Sequence, residues 1–270
     1  MTELGHIGFI GGGNMGEALI KGLLKSAVPA QQIRVAEPNE ARARQLTERY
    51  GVICCSESAE VVRQSDLIVL AIKPQIVPMA MPGIAEAFDD SKVLVSIAAG
   101  VTTGALEGYF EGAPRVVRVM PNTPALAGAG AAALCPGQHA TKDDLATAVH
   151  LFEGVGTVHV VNEAQLDAVT GLSGSGPAYV YMVIEAMAAG GVLEGLPMDT
   201  ALALATQTVL GTAQLVKESG EHPAVLRDKV CSPGGTTIAA VKELEEKGMR
   251  AALIKAVSKA TKRSRELGKG

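Results

Sequence analysis

Glycines near the start of the chain are spaced for contact with a phosphate. The stretch Ile7-Gly8-Phe9-Ile10-Gly11-Gly12-Gly13-Asn14-Met15-Gly16 carries Gly-x-Gly-x-x-Gly at 11, 13 and 16. The pattern alone is common. Here an apolar strand pattern precedes it and a helical pattern follows, which is the context a dinucleotide site requires. Gly11 suits a tight turn, Gly13 lets backbone approach a pyrophosphate, and Gly16 lets the helix pack closely. The helix start at Asn14 and Met15 offers free N–H groups and a positive dipole end to the diphosphate. Glu37 lies 21 positions beyond Gly16, near the offset at which an acidic residue meets the adenosine ribose, and this favours NAD. Asn39, Arg42 and Arg44 follow at once, and an Arg there can take a 2′-phosphate. The residues leave NADH and NADPH both open, with a slight lean to dual use.

A second glycine-rich turn, Val230-Cys231-Ser232-Pro233-Gly234-Gly235-Thr236-Thr237, leads into a helix far along the chain. Its N–H groups suit a carboxylate as well as a phosphate. On its own, it reads equally as a Ser/Thr-capped helix start. Three more loops follow strand patterns: Ala71-Ile72-Lys73-Pro74-Gln75, Ala98-Ala99-Gly100-Val101, and Met120-Pro121-Asn122-Thr123-Pro124. Open α/β sheets bind ligands at strand C-termini, although each loop alone is also an ordinary turn.

The elements that must hold these loops alternate. Strands are expected at 6–10, 33–36, 52–54, 67–70, 93–96, 115–119, 130–134 and 157–161, with helices at 14–26 and 41–50 among them. Continuous apolar runs such as Leu67-Ile68-Val69-Leu70 suit strands buried on both faces of a parallel sheet. The fold expected is α/β: an N-terminal Rossmann-type, doubly wound, mostly parallel sheet over 1–162, and a C-terminal all-helical dimerisation and substrate-binding domain over 163–270. In the second part helices are expected at 177–194, 197–219, 222–230, 237–247 and 249–267. Two are apolar nearly all round, Ala178–Ile184 and Ala201–Ala205, and about 108 residues can hardly bury both. A second subunit is expected to cover them.

Composition narrows the function class. The 270 residues are 47% hydrophobic and only 3% aromatic, with no Trp, and the net charge is −4. No basic face with stacking aromatics stands out, so no nucleic-acid partner is expected. The late basic residues, from Lys255 to Lys269, read as a solvated last helix. Cys54, Cys55, Cys135 and Cys231 have neither metal-ligand nor disulfide spacing, so no metal is expected and a reduced, cytoplasmic protein fits. The start MTELGHIGF lacks a signal-peptide pattern. No uninterrupted apolar run reaches about 18 residues, so no membrane span is expected.

The segments FIGGGNMG (9–16), AIKPQ (71–75), SIAAGV (96–101), RVMPNTPA (118–125), TGLSGSGPAY (170–179) and SPGGTTIAAV (232–241) occur together and in order. In this combination the chain closely resembles the pyrroline-5-carboxylate reductases over nearly its whole length. The resemblance implies a Rossmann domain, a helical domain that intertwines with a second subunit, homodimers, and in some members decamers. It implies NADPH or NADH as cofactor, in contact with Gly11, Gly13, Asn14, Met15, Gly16, Glu37 and Ser58. Ala71, Lys73, Pro74, Ala99, Gly100 and Asn122 are expected to contact it too. Substrate contacts are expected from Val230, Ser232, Gly234, Gly235, Thr236 and Thr237, with Ser175 in the site wall. The sequence departs from the family at Gly16, where Ala is frequent, at Cys231, where Ser or Thr is common, and at Glu37, where some members carry a Ser near the 2′-phosphate.

A protonated ring imine is already electrophilic, so the protein has chiefly to hold its carbon about 3–3.5 Å from the hydride donor. None of the five histidines (6, 139, 150, 159 and 222) falls in a motif. Thr237 is the expected catalytic residue, its hydroxyl orienting the ring nitrogen of 1-pyrroline-5-carboxylate. Two other functions compete. A hydroxy-acid dehydrogenase would need a general acid, for which Lys73 is the motif-borne candidate. A non-catalytic dinucleotide sensor would keep Gly11–Gly16 but have no reason for SPGGTT.

Overall fold

The computed structural model describes residues 5–268. Met1–Leu4, part of the start read for targeting signals, and Lys269, one of the late basic residues, lie outside the described residues. The chain divides into two compact units. One holds the chain up to Ser175 and again from Lys259; the other is Gly176–Ser258.

The first unit is built on eight strands: β1 (Ile7–Ile10), β2 (Ile33–Ala36), β3 (Ile53–Cys55), β4 (Leu67–Leu70), β5 (Val93–Ser96), β6 (Arg115–Met120), β7 (Gly130–Pro136) and β8 (Gly156–Val160). Their order across the sheet is 3-2-1-4-5-6-7-8. Every pairing is parallel except β6–β7. The helices are α1 (Asn14–Lys25), α2 (Glu40–Tyr50), α3 (Ser58–Arg63), α4 (Val77–Ala87), α5 (Thr103–Glu107), α6 (Lys142–Glu153) and α7 (Leu166–Val169).

Period-2 alternation splits the strand side chains between two cores. Ile7, Phe9, Leu67 and Val69 join Leu19 and Leu23 of α1, Leu46 of α2 and Phe152 of α6 on one face. Ile10, Ile68, Leu70 and Leu94 join Val62 of α3, Met81 of α4 and Leu106 of α5 on the other. The doubly wound expectation therefore holds. Helices α3 to α6 were not anticipated. α4 carries Pro78 in its first turn, where proline is tolerated, and Pro82 inside the helix, where it ordinarily argues against one.

Register matters most for function. Ile10 pairs with both Ala36 and Leu70, and Leu70 with Ser96. The strand ends are flush, so the loops after them leave from one edge of the sheet. The order reverses between β1 and β4, which makes this edge a topological switch point.

The first unit continues past the sheet. Leu166 and Val169 pack with Ala133 and Cys135 of β7, so 163–175 belongs with the sheet by contact, beyond the 162 boundary drawn from strand signals. Thr170–Gly174 is a π turn in which the Ser175 N–H donates to Thr170 O at 2.8 Å.

The second unit holds α8 (Gly176–Leu193), α9 (Met198–Ser219), α10 (Pro223–Lys229), α11 (Thr236–Glu246) and most of α12 (Met249–Leu267). Its fully buried apolar cluster is small: Ala188, Ala201 and Ala205, with Ile184 against them. Tyr181, Met182, Leu204 and Leu210 are 55–69% exposed in the single chain.

The helical stretch Glu163–Leu193, with a mean hydropathy of 1.3 over its most apolar window, is long and apolar enough to cross a membrane by length and composition. It holds no unbroken apolar run of about 18 residues, because Ser173, Ser175 and Glu185 interrupt it, and the π turn joins its two parts.

Candidate active site

At the flush edge, β1 runs into the glycine turn. Gly11 has φ +101°, and a Cβ there would lie 2.6 Å from the carbonyl oxygen of Ala71. No other residue fits without strain. A Cβ on Gly16 would come within 2.7 Å of Gly11 O, so its close approach is to the turn itself. Gly13 is different: a Cβ there would meet nothing within 4 Å. Gly13 caps α1 without a side-chain hydrogen bond, which leaves the first-turn amides at Asn14, Met15 and Gly16 facing an open cradle. That is the shape and polarity a diphosphate requires, and the residues present fit a dinucleotide.

Glu37 follows β2. Its Oε2 accepts from the Gly12 N–H at 3.0 Å and its Oε1 from the Asn39 N–H at 3.0 Å. Beneath the turn, Arg42 Nε donates to Gly12 O at 2.7 Å and its Nη2 to Glu17 at 2.6 Å. The Tyr50 hydroxyl also donates to Glu17, at 2.7 Å. The Tyr50 hydroxyl and the Arg42 guanidinium hold the Glu17 carboxyl below the usual carboxylate range. Together these contacts brace the glycine turn.

Ser58 starts α3, Ala71 and Lys73 follow β4, and Ala99 and Gly100 follow β5, so all leave the same edge of the sheet. Lys73 is exposed and Pro74 begins a 3₁₀ turn behind it. A cleft of about 470 Å³ is lined by Pro74, Gln75, Ala99, Gly100, Tyr109 and Leu267, among others. The Asn122 side chain is engaged within the unit: its Nδ2 donates to Ser173 O at 3.1 Å and its Oδ1 accepts from the Ala131 N–H at 2.9 Å. It ties the loop after β6 to the π turn.

In the second unit, Gly234 has φ +66° with open space around a Cβ, and the Gly235 N–H closes the turn on Ser232 O at 3.0 Å. Gly235 caps α11 with no side-chain hydrogen bond. The Ser/Thr-capped start, one of the two options, is therefore not what forms. Instead the amides of Thr236 and Thr237 are left for an external acceptor, with Thr237 half-buried. Val230 is exposed and ends the turn after α10. Ser175 belongs to the first unit.

Comparison with known proteins resolves the family. Residues 163–267 match the model for pyrroline-5-carboxylate reductase dimerisation, and residues 6–100 match that for NADP oxidoreductase, coenzyme F420-dependent. A pyrroline-5-carboxylate reductase from Arabidopsis thaliana is 47% identical over 98% of this chain and 96% of its own length. The chain belongs to the pyrroline-5-carboxylate reductase family. The reductase of Escherichia coli is 43% identical over 97% of this chain and 98% of its own. Among solved reductases, that of Coxiella burnetii superposes with a TM-score of 0.93 at 35% identity, covering 99% of this chain and 100% of the other. The Plasmodium falciparum enzyme, solved with NADP bound, gives 0.88 at 31% identity, covering 97% and 98%. The match to the dimerisation model supports homo-oligomerisation.

Within this reductase fold, sequence reasoning missed one polar cluster. Arg118, within the RVMPNTPA segment, is 6% exposed and pairs with Glu163 at 3.1 Å. Glu163 also accepts from the N–H and the hydroxyl of Thr103, at 2.7 and 2.8 Å. Burial pushes the Glu163 carboxyl up, but Thr103 and Arg118 more than reverse this and leave it below the usual range. The cluster fixes the start of α5, just past the Gly100 loop. A buried cationic position in β6 was the one available signal, because a buried Arg demands a carboxylate partner. Among the described residues, no group of three His, Cys, Asp or Glu side chains is placed to hold a metal ion. All four cysteines are free, and burial pushes the Cys135 thiol up to about 11.

Proposed function

We propose that this chain reduces the ring imine of 1-pyrroline-5-carboxylate to L-proline with NADH or NADPH, the last step of proline biosynthesis. Its family membership from end to end carries the proposal. The uncapped start of α11 supports it, because a carboxylate-bearing substrate needs such a cradle.

When bound, the reduced nicotinamide supplies the hydride. The rest falls to this chain's own residues. The Gly11–Gly16 turn and α1 hold the diphosphate, and Glu37 meets the adenosine ribose. Ser58, Ala71, Lys73, Pro74, Ala99, Gly100 and Asn122 flank the cofactor along the sheet edge. The Gly234 and Thr236 N–H groups, with Gly235, Val230 and Ser232 shaping the turn beside them, hold the carboxylate. The Thr237 hydroxyl orients the ring nitrogen, which carries a proton as the carbon accepts the hydride. Ser175 shapes the site wall. The division of labour is a dinucleotide-binding domain over 1–162 and a dimerisation and substrate domain over 163–270.

The minimal assembly in this proposal is a homodimer, with a decamer as its higher form. The apolar helical faces meet another copy of the chain, with no role for a membrane or nucleic acid. Four free cysteines support a cytoplasmic setting.

The test is the fall in reduced-nicotinamide absorbance on adding 1-pyrroline-5-carboxylate, run with NADH and NADPH in parallel. Substrate-dependent oxidation yielding proline is expected. A folded protein that binds cofactor and oxidises neither would fit a dinucleotide sensor and end the proposal.

A further inference from the structure

We infer that Glu37 makes this chain selective for NADH over NADPH, an assignment that deepens the reductase proposal and rests on it for the cofactor site. Both oxygens of the Glu37 carboxylate are held by main-chain donors, Gly12 N–H and Asn39 N–H, each at 3.0 Å. The Gly12 N–H is inside the glycine turn, so the carboxylate cannot swing away without unpairing it. A carboxylate accepts about four hydrogen bonds, so capacity remains for the two ribose hydroxyls of NADH. NADPH instead brings a phosphate monoester of charge about −1.5 to −2 to the same ribose. Beside a fixed carboxylate it needs a cation.

Among the described residues, the arginines nearest Glu37 are engaged elsewhere or face another side of α2. Arg42 uses its guanidinium on Gly12 O at 2.7 Å, Gln45 at 2.7 Å and Glu17 at 2.6 Å. Glu17 is in turn held by Tyr50 and Arg49. These contacts use three of the five guanidinium N–H donors, and swinging Arg42 away from them would loosen the turn that binds the diphosphate. Arg44 is exposed and stands two positions further along α2, and residues at that spacing face different sides of a helix. Arg34 sits toward the other end of β2, engaged with Gln64 and His6. At the start of α2 itself, the Asn39 side chain already accepts the Arg42 N–H.

The experiment is titration of the full-length protein with NADH and with NADPH, followed by nicotinamide fluorescence without substrate, alongside kcat/KM for each with 1-pyrroline-5-carboxylate. Like-charge contact predicts at least about tenfold tighter binding of NADH. Glu37→Ser is expected to shrink or reverse that ratio. Glu37→Gln, which keeps the size and removes the charge, should shift it the same way, with melting curves confirming both folds. Arg42→Ala should weaken both cofactors alike. Equal or tighter binding of NADPH by the wild type overturns the inference, as does an unchanged ratio in both Glu37 variants or a selective loss of NADPH in Arg42→Ala. Selective NADH binding with no oxidation by substrate supports the inference and defeats the reductase proposal, so the two failures are distinguishable.

Discussion

The two units bury apolar surface in opposite ways. In the first, Phe9, Leu19, Ile68, Leu94 and Phe152 have no exposed surface, and helices cover both faces of the sheet. In the second, three alanines make up the fully buried apolar set while Met182 and Leu204 are exposed. Hydropathy does not explain the contrast, since α8 is more apolar than most helices of the first unit. What differs is where the covering surface comes from. The sheet is closed by helices of its own chain, whereas the helical unit is completed by homo-oligomerisation. Its folding free energy therefore depends on protein concentration.

Charging the uncovered helices is the most severe test of that contrast. Met182→Arg is expected to abolish assembly, with sedimentation reporting a smaller species and melting that no longer rises with protein concentration. An intact oligomer would mean the exposed face of α8 is not an interface. The next test sets the two units side by side. Ile68→Ala should destabilise by about 2–5 kcal/mol at every concentration. Leu204→Ala should lose stability chiefly through assembly, so its melting deficit should vanish on dilution and grow as concentration rises.

Two smaller effects sharpen the picture. Thr237→Ala should lower kcat by roughly ten- to a hundredfold, toward the low end for one orienting contact, with assembly unchanged. Wild-type kinetics would remove Thr237 from the reaction. The last test is confined to the first unit. Tyr50→Phe should cost about 0.5–1.5 kcal/mol at neutral pH. The folded pKa of Glu17 lies below its unfolded value, so its contribution is present above the ordinary carboxylate pKa and fades as pH falls through the folded one. The deficit of Tyr50→Phe, followed by denaturant melts from pH 7 to 3, should therefore narrow in acid. A constant deficit would place the effect in packing.

Much of this was legible in the residues because the physics was local. Strands β1, β4 and β5 are short runs buried at every residue and β2 departs only at Arg34, and their bounds fall within a residue of those expected. The glycine turns were legible for a related reason: positive φ at Gly11 and Gly234 is a property of single residues. What the residues could not disclose was long-range. Glu163 meets Arg118 and Thr103 across 45 and 60 positions of chain, and nothing local marks the pairing. Helix α4 forms despite the internal Pro82 because its buried face, Val77, Met81 and Ile84, packs on the sheet. Tertiary burial there outweighs propensity.

A π turn is an α-helix carrying one residue too many, and Thr170–Gly174 inserts that residue immediately ahead of α8. Each helical residue turns the chain by about 100°. Deleting one here would restore an ordinary helix and rotate every later side chain of α8 by more than a quarter turn. Leu172, 65% exposed within the turn, is thus free to vary as a side chain and indispensable as a count. In this segment, insertions and deletions should be selected against far more sharply than substitutions.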